Sequence, residues 1–512
     1  MRNVKQKIFW LWQNAEKVLI VTFFLTFTLN IRKVFLTPYS FLNGRFNEYM
    51  TMSFSWADLL MLATIVIYTT KSILRQVINS YYASSGYGKA FKNVSRETFY
   101  LIFFLGWMGL SIFWSQYQPT AVYRFFIFVE IMLFAAVAVK SLNNMKWLEM
   151  AFFAIILNGM FQSLLGITQF VHNGSLGLRI FGESIIGPNI DGVAKILIGG
   201  EKHIRAYGTL PHPNILAGFL LIPLFIIIGS LLSRKLTPLG KRQAKTEPNL
   251  PDILNQNIPP AFSPMNEKRR DNVSYETLLG FIPRWALFVV LIITGLGFFL
   301  TFSRSAFLGF FIGFLIIFAG AAYIQSPHRT PKNSFGISAA SIITLIFITI
   351  LLLANTSFFS SQSLQERTLY QNVSYETILK HPLAGVGIGQ FVASEYQIHP
   401  NLESWQYQPV HNIYLLVFSE LGIVGLIFFL LWIFSILKWG SSKNRNTGLL
   451  RSLLLTKLSI CCVILSFLFI AFFDHYFWDI TLGTLIFVLP FILIFIFALN
   501  SKKCSTDFLG LL

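Results

Sequence analysis

The segment PNILAGFLLIPLFIIIGSLL at residues 213–232 decides the fold class, because it runs for its whole length without a charged side chain. A helix needs about 20 apolar residues to cross roughly 30 Å of hydrocarbon, where it bonds all of its own backbone groups. Over the 512 residues of the chain, 54% are hydrophobic, only 12% are charged, and the mean hydropathy is +0.61. The sequence therefore predicts a multi-pass membrane protein and excludes a soluble globular domain.

Further apolar stretches of similar length predict an all-α bundle of about 12 spanning helices, which we interpret as one membrane domain over residues 1–512. An even number of spanning helices places both termini on the same side of the membrane. The first stretch follows Arg2, Lys5 and Lys7 but has no small-residue cleavage site, so we interpret it as a retained helix. The expected spans are 18–36, 56–74, 99–115, 120–139, 148–170, 213–232, 285–302, 305–323, 337–356, 412–437, 453–473 and 480–499.

The basic residues of the chain, which carries a formal charge of +18, are concentrated in alternate connections between the predicted helices. With the N-terminus in the cytoplasm, the connections on that side hold 29 of the 40 Lys and Arg residues. This distribution is typical of an inner-membrane protein with both termini in the cytoplasm. A nucleic-acid partner is not predicted, because the charges form no single basic face or arm.

Two long polar connections differ in composition. Residues 233–284 are rich in Lys, Arg, Pro and Asn and predict a flexible cytoplasmic loop. Residues 356–411 contain Trp405, several Tyr and a glycine series, and predict an ordered outer loop before the tenth helix that contributes to an active site. The glycines of that series are Gly385, Gly387 and Gly389.

Charged side chains at the outer helix ends are the candidate functional residues, because each costs several kcal/mol near the hydrocarbon unless it is paired or hydrated. Arg304 lies in the short turn TFSRSAF between two apolar helices, where interfacial snorkelling is the structural alternative. Arg205 precedes Asn214 by nine residues. Pro213 and Asn214 are typical of a helix start, but capping does not explain Arg205.

His411 and Asn412 stand at the predicted outer end of the tenth helix. A histidine there can act in proton transfer or serve only as an interfacial hydrogen-bonding group. Glu420 follows nine residues later, so on a helix it projects from the opposite face, about 13 Å away. We therefore expect no direct pair between His411 and Glu420.

Asp474, His475 and Asp479 form a third group of polar residues near an outer helix end. Their spacing would suit a divalent ion, but their aromatic neighbours favour a hydrated turn in the interfacial aromatic belt. We predict neither a metal site nor a cofactor.

Several segments together resemble the O-antigen ligase and O-antigen polymerase family of bacterial envelope glycan transferases. They occur in the family's order and lie between residues 200 and 490, whereas the first five helices match only as hydrophobic spans. They are RAYGTLPHPNILAGF at 205–219, TFSRSAFLG at 301–309, HPLAGVGIGQF at 381–391, HNIYLLVFSELGIVG at 411–425 and, more weakly, FDHYFWDITLG at 473–483.

This resemblance implies transfer of glycan from an undecaprenyl diphosphate-type carrier to a hydroxyl acceptor on a glycan, lipid or protein at the outer membrane leaflet. Arg205 and Arg304 match family motifs and would bind the diphosphate with paired N–H donors. His411 would act as the general base in an inverting, metal-independent reaction. Further donor contacts are expected from Asn214, Asn412, Arg367, Arg124 and Glu420, although Asn412 and the glycine series also fit purely structural roles.

A lipid-linked glycan flippase or secondary transporter is the alternative function, in which the same charges would line an alternating-access pathway. We find no division of the hydropathy pattern into two repeated halves, which that class often has. A scaffold without a reaction leaves the outer arginines unexplained. The related cell-wall glycan polymerases use a similar donor, but their characteristic motifs are not evident here.

Overall fold

The computed structural model describes residues 2–82, 96–234, 279–325, 361–440 and 450–509, and this part of the chain is mostly helical. Three two-stranded antiparallel sheets connect the helices at one end of the bundle. The described helices are α1 Arg2–Thr26, α2 Trp56–Tyr82, α3 Arg96–Leu110, α4 Gln118–Ser141, α5 Met145–His172, α6 Pro213–Arg234, α7 Arg284–Phe299, α8 Arg304–Gln325, α9 Ser361–Lys380, α10 Phe391–Ile398, α11 Ile413–Gly440, α12 Leu450–Ile470, α13 Tyr476–Asp479 and α14 Thr481–Leu509. The strands are β1 Arg32–Phe35, β2 Phe41–Leu42, β3 Arg45–Phe46, β4 Met52–Ser55, β5 Lys195–Ile198 and β6 Glu201–Ile204.

Seven of the described helices are long and apolar enough to cross a membrane, and α3, α7 and α12 contribute shorter apolar segments. The prediction of a multi-pass helical membrane protein is therefore confirmed, whereas the count of about 12 is not. The predicted span 337–356 and most of the predicted cytoplasmic loop 233–284 lie outside the described residues. The single-domain organisation stays a prediction.

The first predicted span, 18–36, is wrong in its extent, because α1 ends at Thr26. Arg32 and Lys33 instead lie in β1, which pairs antiparallel with β4. Arg32 also forms a 2.7 Å ion pair with Glu48. Two adjacent cations are costly in a spanning helix, and the strand lets both reach polar surroundings.

Helix α6 is the central helix of the bundle, and nearly all of its apolar segment is enclosed by other helices. It packs against α5, α7, α8 and α12. Gly229 allows the closest of these contacts, because a Cβ atom there would lie 1.9 Å from the Ser459 hydroxyl. The segment that decides the fold class thus also forms the core against which the other helices are held.

The helix ends that carry the predicted site residues meet at one end of the bundle, which we call the site end. The N-termini of α6, α8 and α11 and the C-terminus of α12 are joined there by backbone bonds such as Ala206 N–H to Leu300 O at 2.9 Å and Ile413 N–H to Ala471 O at 2.8 Å. The described part of the predicted ordered loop lies at this end and contains α9 and α10.

The segment before His411 is held by the β2–β3 hairpin. Asn43 donates to the carbonyl oxygens of Pro400 and Leu402 at 2.9 and 3.0 Å, and Arg45 forms an ion pair with Glu403. Asn47 donates to the carbonyl oxygen of Tyr407 at 3.0 Å. These long-range bonds tie the N-terminal part of the chain to the loop that positions His411.

Candidate functional site

Arg205 is held at the site end by the turn before α8 and by the first turn of α6. Its Nε donates to the Thr301 carbonyl oxygen at 2.5 Å, and its Nη2 donates to Asn214 Oδ1 at 2.6 Å. These bonds leave other guanidinium N–H groups for a ligand. Burial is the main cause that lowers the pKa of Arg205 to about 10, and the charge of Arg304 adds to the effect. Arg205 therefore stays cationic at neutral pH.

Asn214 connects the arginine to a buried carboxylate. Its amide Nδ2 donates to both carboxylate oxygens of Asp474, at 3.3 and 3.1 Å, and the Ser305 hydroxyl donates to the same carboxylate at 3.0 Å. Pro213 and Asn214 do begin α6, as the sequence predicts. Asn214 is thus a helix-start residue whose side chain links segments 205–219 and 473–483, and Ser305 joins segment 301–309 to the same carboxylate.

His411 lies between two aromatic rings immediately before α11. Its imidazole stacks on Tyr370 with ring centroids 5.7 Å apart, and it meets the His475 ring edge-on at 4.7 Å. Burial, together with the charges of His475 and Arg367, holds the pKa of His411 well below its ordinary value. His411 is therefore uncharged at neutral pH, which is the form that accepts a proton. Asn412 caps α11, because its side chain accepts the Leu415 N–H at 3.1 Å.

The expectation of a hydrated turn at 474–479 is wrong. Asp474, His475 and Asp479 are all buried, and they face the other site residues. His475 Nδ1 lies 2.7 Å from Asp479 Oδ2. Burial opposes the charged form of His475, but Asp479 and Asp474 outweigh it and raise its pKa. The tertiary structure buries this turn because it packs beneath the ring of His411 and against Asn214.

Arg367 adds a further positive charge on the exposed side of α9. Its charge contributes to lowering the pKa of His411, and it opposes the upward shift that burial produces in the pKa of Asp474. The three arginines Arg205, Arg304 and Arg367 thus act electrostatically on one set of buried groups. This arrangement suits an anionic ligand.

The glycine series forms a tight turn that packs on α11. Gly385, Gly387 and Gly389 all have left-handed backbones, with φ of 67°, 105° and 68°. A Cβ at Gly385 would lie 2.3 Å from the backbone of Glu420. The turn's N–H groups are used internally, for example by the bond from Gly387 to the Glu420 carbonyl oxygen at 2.8 Å. The glycines therefore provide close packing rather than free N–H donors.

Glu420 and Arg124 hold the same region together. The Glu420 carboxylate accepts the Trp478 indole N–H at 2.8 Å and the Phe391 N–H at 3.3 Å. Arg124 donates to the carbonyl oxygens of Asp479 and Tyr49. Both side chains bind protein groups around the site, so their contacts favour positioning roles over direct binding of the donor.

Tyr370 and Glu395 lie behind His411, and sequence reasoning missed both. The Tyr370 hydroxyl and both Glu395 carboxylate oxygens are buried without a hydrogen-bond partner in the described part of the structure. Burial raises the pKa of Glu395 to about 9, so it is protonated at neutral pH. Isolated polar residues in amphipathic helices offer no local signal, because only tertiary packing turns them inward.

Replacing Glu395 with Gln is expected to stabilise the protein at alkaline pH. Above about pH 4.5 an unfolded chain ionises this carboxyl group, whereas the folded protein keeps it protonated up to about pH 9. The wild type therefore loses stability over that interval, on the order of a few kcal/mol by pH 8. Thermal unfolding in detergent between pH 5 and 9 measures the effect. Glu376→Gln, at an exposed i,i+4 pair with Lys380, is the matched control, and an equal gain there would contradict the prediction.

An apolar cavity of about 870 Å³ runs beside the site between α6, α7, α8 and the β5–β6 hairpin. Leu224, Phe298 and Phe310 are among its mostly apolar lining residues. Arg304 lines it at the site end, and Arg284 lines it at the other end of α7, a helix about 24 Å long. The cavity can therefore accept a long hydrocarbon chain whose polar head lies near Arg304.

Among the described residues, no group of three His, Cys, Asp or Glu side chains is arranged to hold a metal ion. The site offers guanidinium cations that can bind an anion, and these lie next to imidazole groups of unequal basicity. Guanidinium groups with an adjacent neutral imidazole can stabilise a leaving anion and accept a proton.

Part of the chain matches a model of a known protein family. Residues 288–430 match the family model described as O-antigen ligase. The matched region contains Arg304, Arg367, the glycine turn, His411 and Glu420, whereas Arg205, Asn214 and Asp474 lie outside it. The search of curated proteins gives no match. The site thus joins residues from the matched region to residues from both flanking parts of the chain.

Proposed function

We propose that this multi-pass membrane protein transfers glycan from a polyprenyl diphosphate carrier to a hydroxyl acceptor. The match of residues 288–430 to the O-antigen ligase family model supports this proposal. The reaction takes place at the outer face of the inner membrane. The observation that carries the proposal is the juxtaposition of Arg304 with both the apolar cavity and the buried polar cluster. A lipid-linked diphosphate has an apolar chain that fits the cavity and an anionic head that fits the arginines.

The donor's prenyl chain occupies the apolar cavity, and its diphosphate lies against Arg304, Arg205 and Arg367. Burial of prenyl methylene groups contributes about 0.8 kcal/mol each. Guanidinium groups bind phosphate oxygens with paired, charge-assisted hydrogen bonds, which strengthen as negative charge grows on the leaving group. Asn214 and Thr301 hold Arg205 in place for this contact.

His411 acts as the general base. It takes the proton from the acceptor hydroxyl as that oxygen attacks the anomeric carbon, and the bond from that carbon to the diphosphate oxygen breaks. Attack opposite the leaving group inverts the anomeric configuration. The bound diphosphate also favours the protonated imidazole that forms, because its charge offsets the nearby arginines.

Reconstitution of the purified protein in vesicles with a lipid-linked oligosaccharide tests this function. Mass analysis of the products is expected to show glycan on a new acceptor, with release of the prenyl diphosphate. Elongated lipid-linked chains would identify a polymerase, and glycan on another lipid or a protein would identify a ligase. Donor that crosses the bilayer unmodified would overturn the proposal in favour of the flippase alternative.

A further inference from the structure

His475 and Asp479 form an imidazole–carboxylate unit that the proposed reaction does not use. The two side chains are both buried and joined by a 2.7 Å contact between Nδ1 and Oδ2. The edge of one imidazole faces the other, with the centroids of His475 and His411 4.7 Å apart. A carboxylate that holds one histidine nitrogen fixes the tautomer and orientation of the ring.

The two imidazoles are too close to carry a charge at the same time. Two unit charges at this separation in a protein site repel by enough to separate their pKa values by roughly two units. The proton therefore stays on the ring whose neighbours stabilise the charged imidazole. Asp479 and Asp474 lie beside His475, whereas His411 stacks on the phenol ring of Tyr370 and its Nδ1 has no partner in the described part of the structure.

The other groups that face His475 do not change which of the two imidazoles holds the proton. The Tyr49 ring meets His475 edge-on at 5.6 Å. His212 accepts the Asn214 N–H at its Nδ1, and burial lowers its pKa to about 3, so it remains uncharged. Arg367 opposes protonation of both His475 and His411. The two aspartates are thus the groups that distinguish the two rings.

We propose that His475, held by Asp479, is a positioning residue that keeps a proton beside His411 and so adds to the effect of burial in maintaining His411 in the uncharged form needed to deprotonate the acceptor. This inference rests on the proposed function, and it assigns the control of that site's protonation to a residue pair outside the matched family region. Asp479 acts through His475, and neither contacts the reacting atoms.

The pH dependence of transfer tests the inference with His475→Asn. Without the neighbouring cation, His411 binds a proton more readily, so the acidic limb of the kcat/KM profile is expected to move to higher pH by about two pH units. At a fixed pH on that limb, kcat/KM of the variant divided by its own plateau value is then about a hundredfold lower than the same ratio for the wild type. Asp479→Asn is expected to move the limb in the same direction, because His475 then releases its proton at lower pH.

His172→Asn is the matched control, since it removes an exposed imidazole at the end of α5 and should leave the profile in place. A purely structural role of His475 would lower the plateau without moving the limb, and that result would overturn the inference. The NMR titration of labelled His411 in detergent gives a readout without turnover, and an unchanged His411 titration in His475→Asn would equally overturn it. Failure of the proposed function would appear separately, as wild-type protein that transfers no glycan.

Discussion

Replacing His411 with Ala is expected to lower the rate of glycan transfer by about 10²–10⁴-fold, the range that a general base typically contributes. The imidazole lies between Tyr370 and His475 in an uncharged, partly exposed state, and its Nδ1 accepts no hydrogen bond from any described residue, whereas Nδ1 of His212 already accepts the Asn214 N–H. Binding of the donor should persist, because the proposed diphosphate contacts come from arginines. Turnover of a purified lipid-linked donor measures the loss.

Removal of a ring that stacks on Tyr370 also leaves a space, so His411→Gln is a necessary companion variant. It keeps most of the volume and the hydrogen-bonding capacity but cannot accept a proton near neutral pH. Tyr370→Phe is the matched control, because it keeps the stacked ring and removes only a hydroxyl group without a described partner. Substantial turnover in both His411 variants would remove His411 from the mechanism.

Replacing Arg304 with Gln is expected to lower kcat/KM for the donor on the order of a hundredfold, because at least two charge-assisted hydrogen bonds to phosphate are lost. Arg304→Lys should lose only about tenfold, since the ammonium keeps the charge but not the bidentate geometry. The same order is expected at Arg205. Steady-state kinetics over a series of donor concentrations, with binding of a non-transferable prenyl diphosphate, separates affinity from turnover.

Arg284→Gln provides the control for this series, because Arg284 lines the same cavity at its other end. Loss of a cation there should leave the diphosphate contact intact. Equal losses in Arg304→Gln and Arg304→Lys would mean that shape, rather than charge, matters at this position. An effect of Arg284→Gln as large as that of Arg304→Gln would contradict the placement of the diphosphate at the site end.

Local sequence patterns predicted the bounds of several spanning helices well because hydrocarbon imposes a length and a composition on each segment. Helices α2, α4, α6 and α8 begin and end within a few residues of the predicted bounds, apart from the longer C-terminal end of α2. The first span failed because an apolar average over 18–36 concealed Arg32 and Lys33, which the chain places in a paired strand. Composition averaged along a window does not report long-range strand pairing.

The candidate site was predicted in part. Arg205, Asn214, Arg304 and His411 do lie at one end of the bundle, as their positions at helix ends implied. Their roles as donor and acceptor contacts stay predictions. The turn at 474–479 was assigned to the hydrated interface, because aromatic residues near a helix end look alike whether they face lipid or a polar cluster.

By itself the sequence determined the membrane location, the helical class and the resemblance to the O-antigen ligase family, since these follow from hydrophobic length, charge placement and short motifs read along the chain. Only the tertiary structure decided that Asp474 bonds to Asn214, that His475 meets His411, and that Glu395 is buried without a described partner. The reason is that protonation and burial depend on neighbours from distant segments. A single stretch of sequence carries a side chain's chemistry, but folding sets the charge that side chain holds.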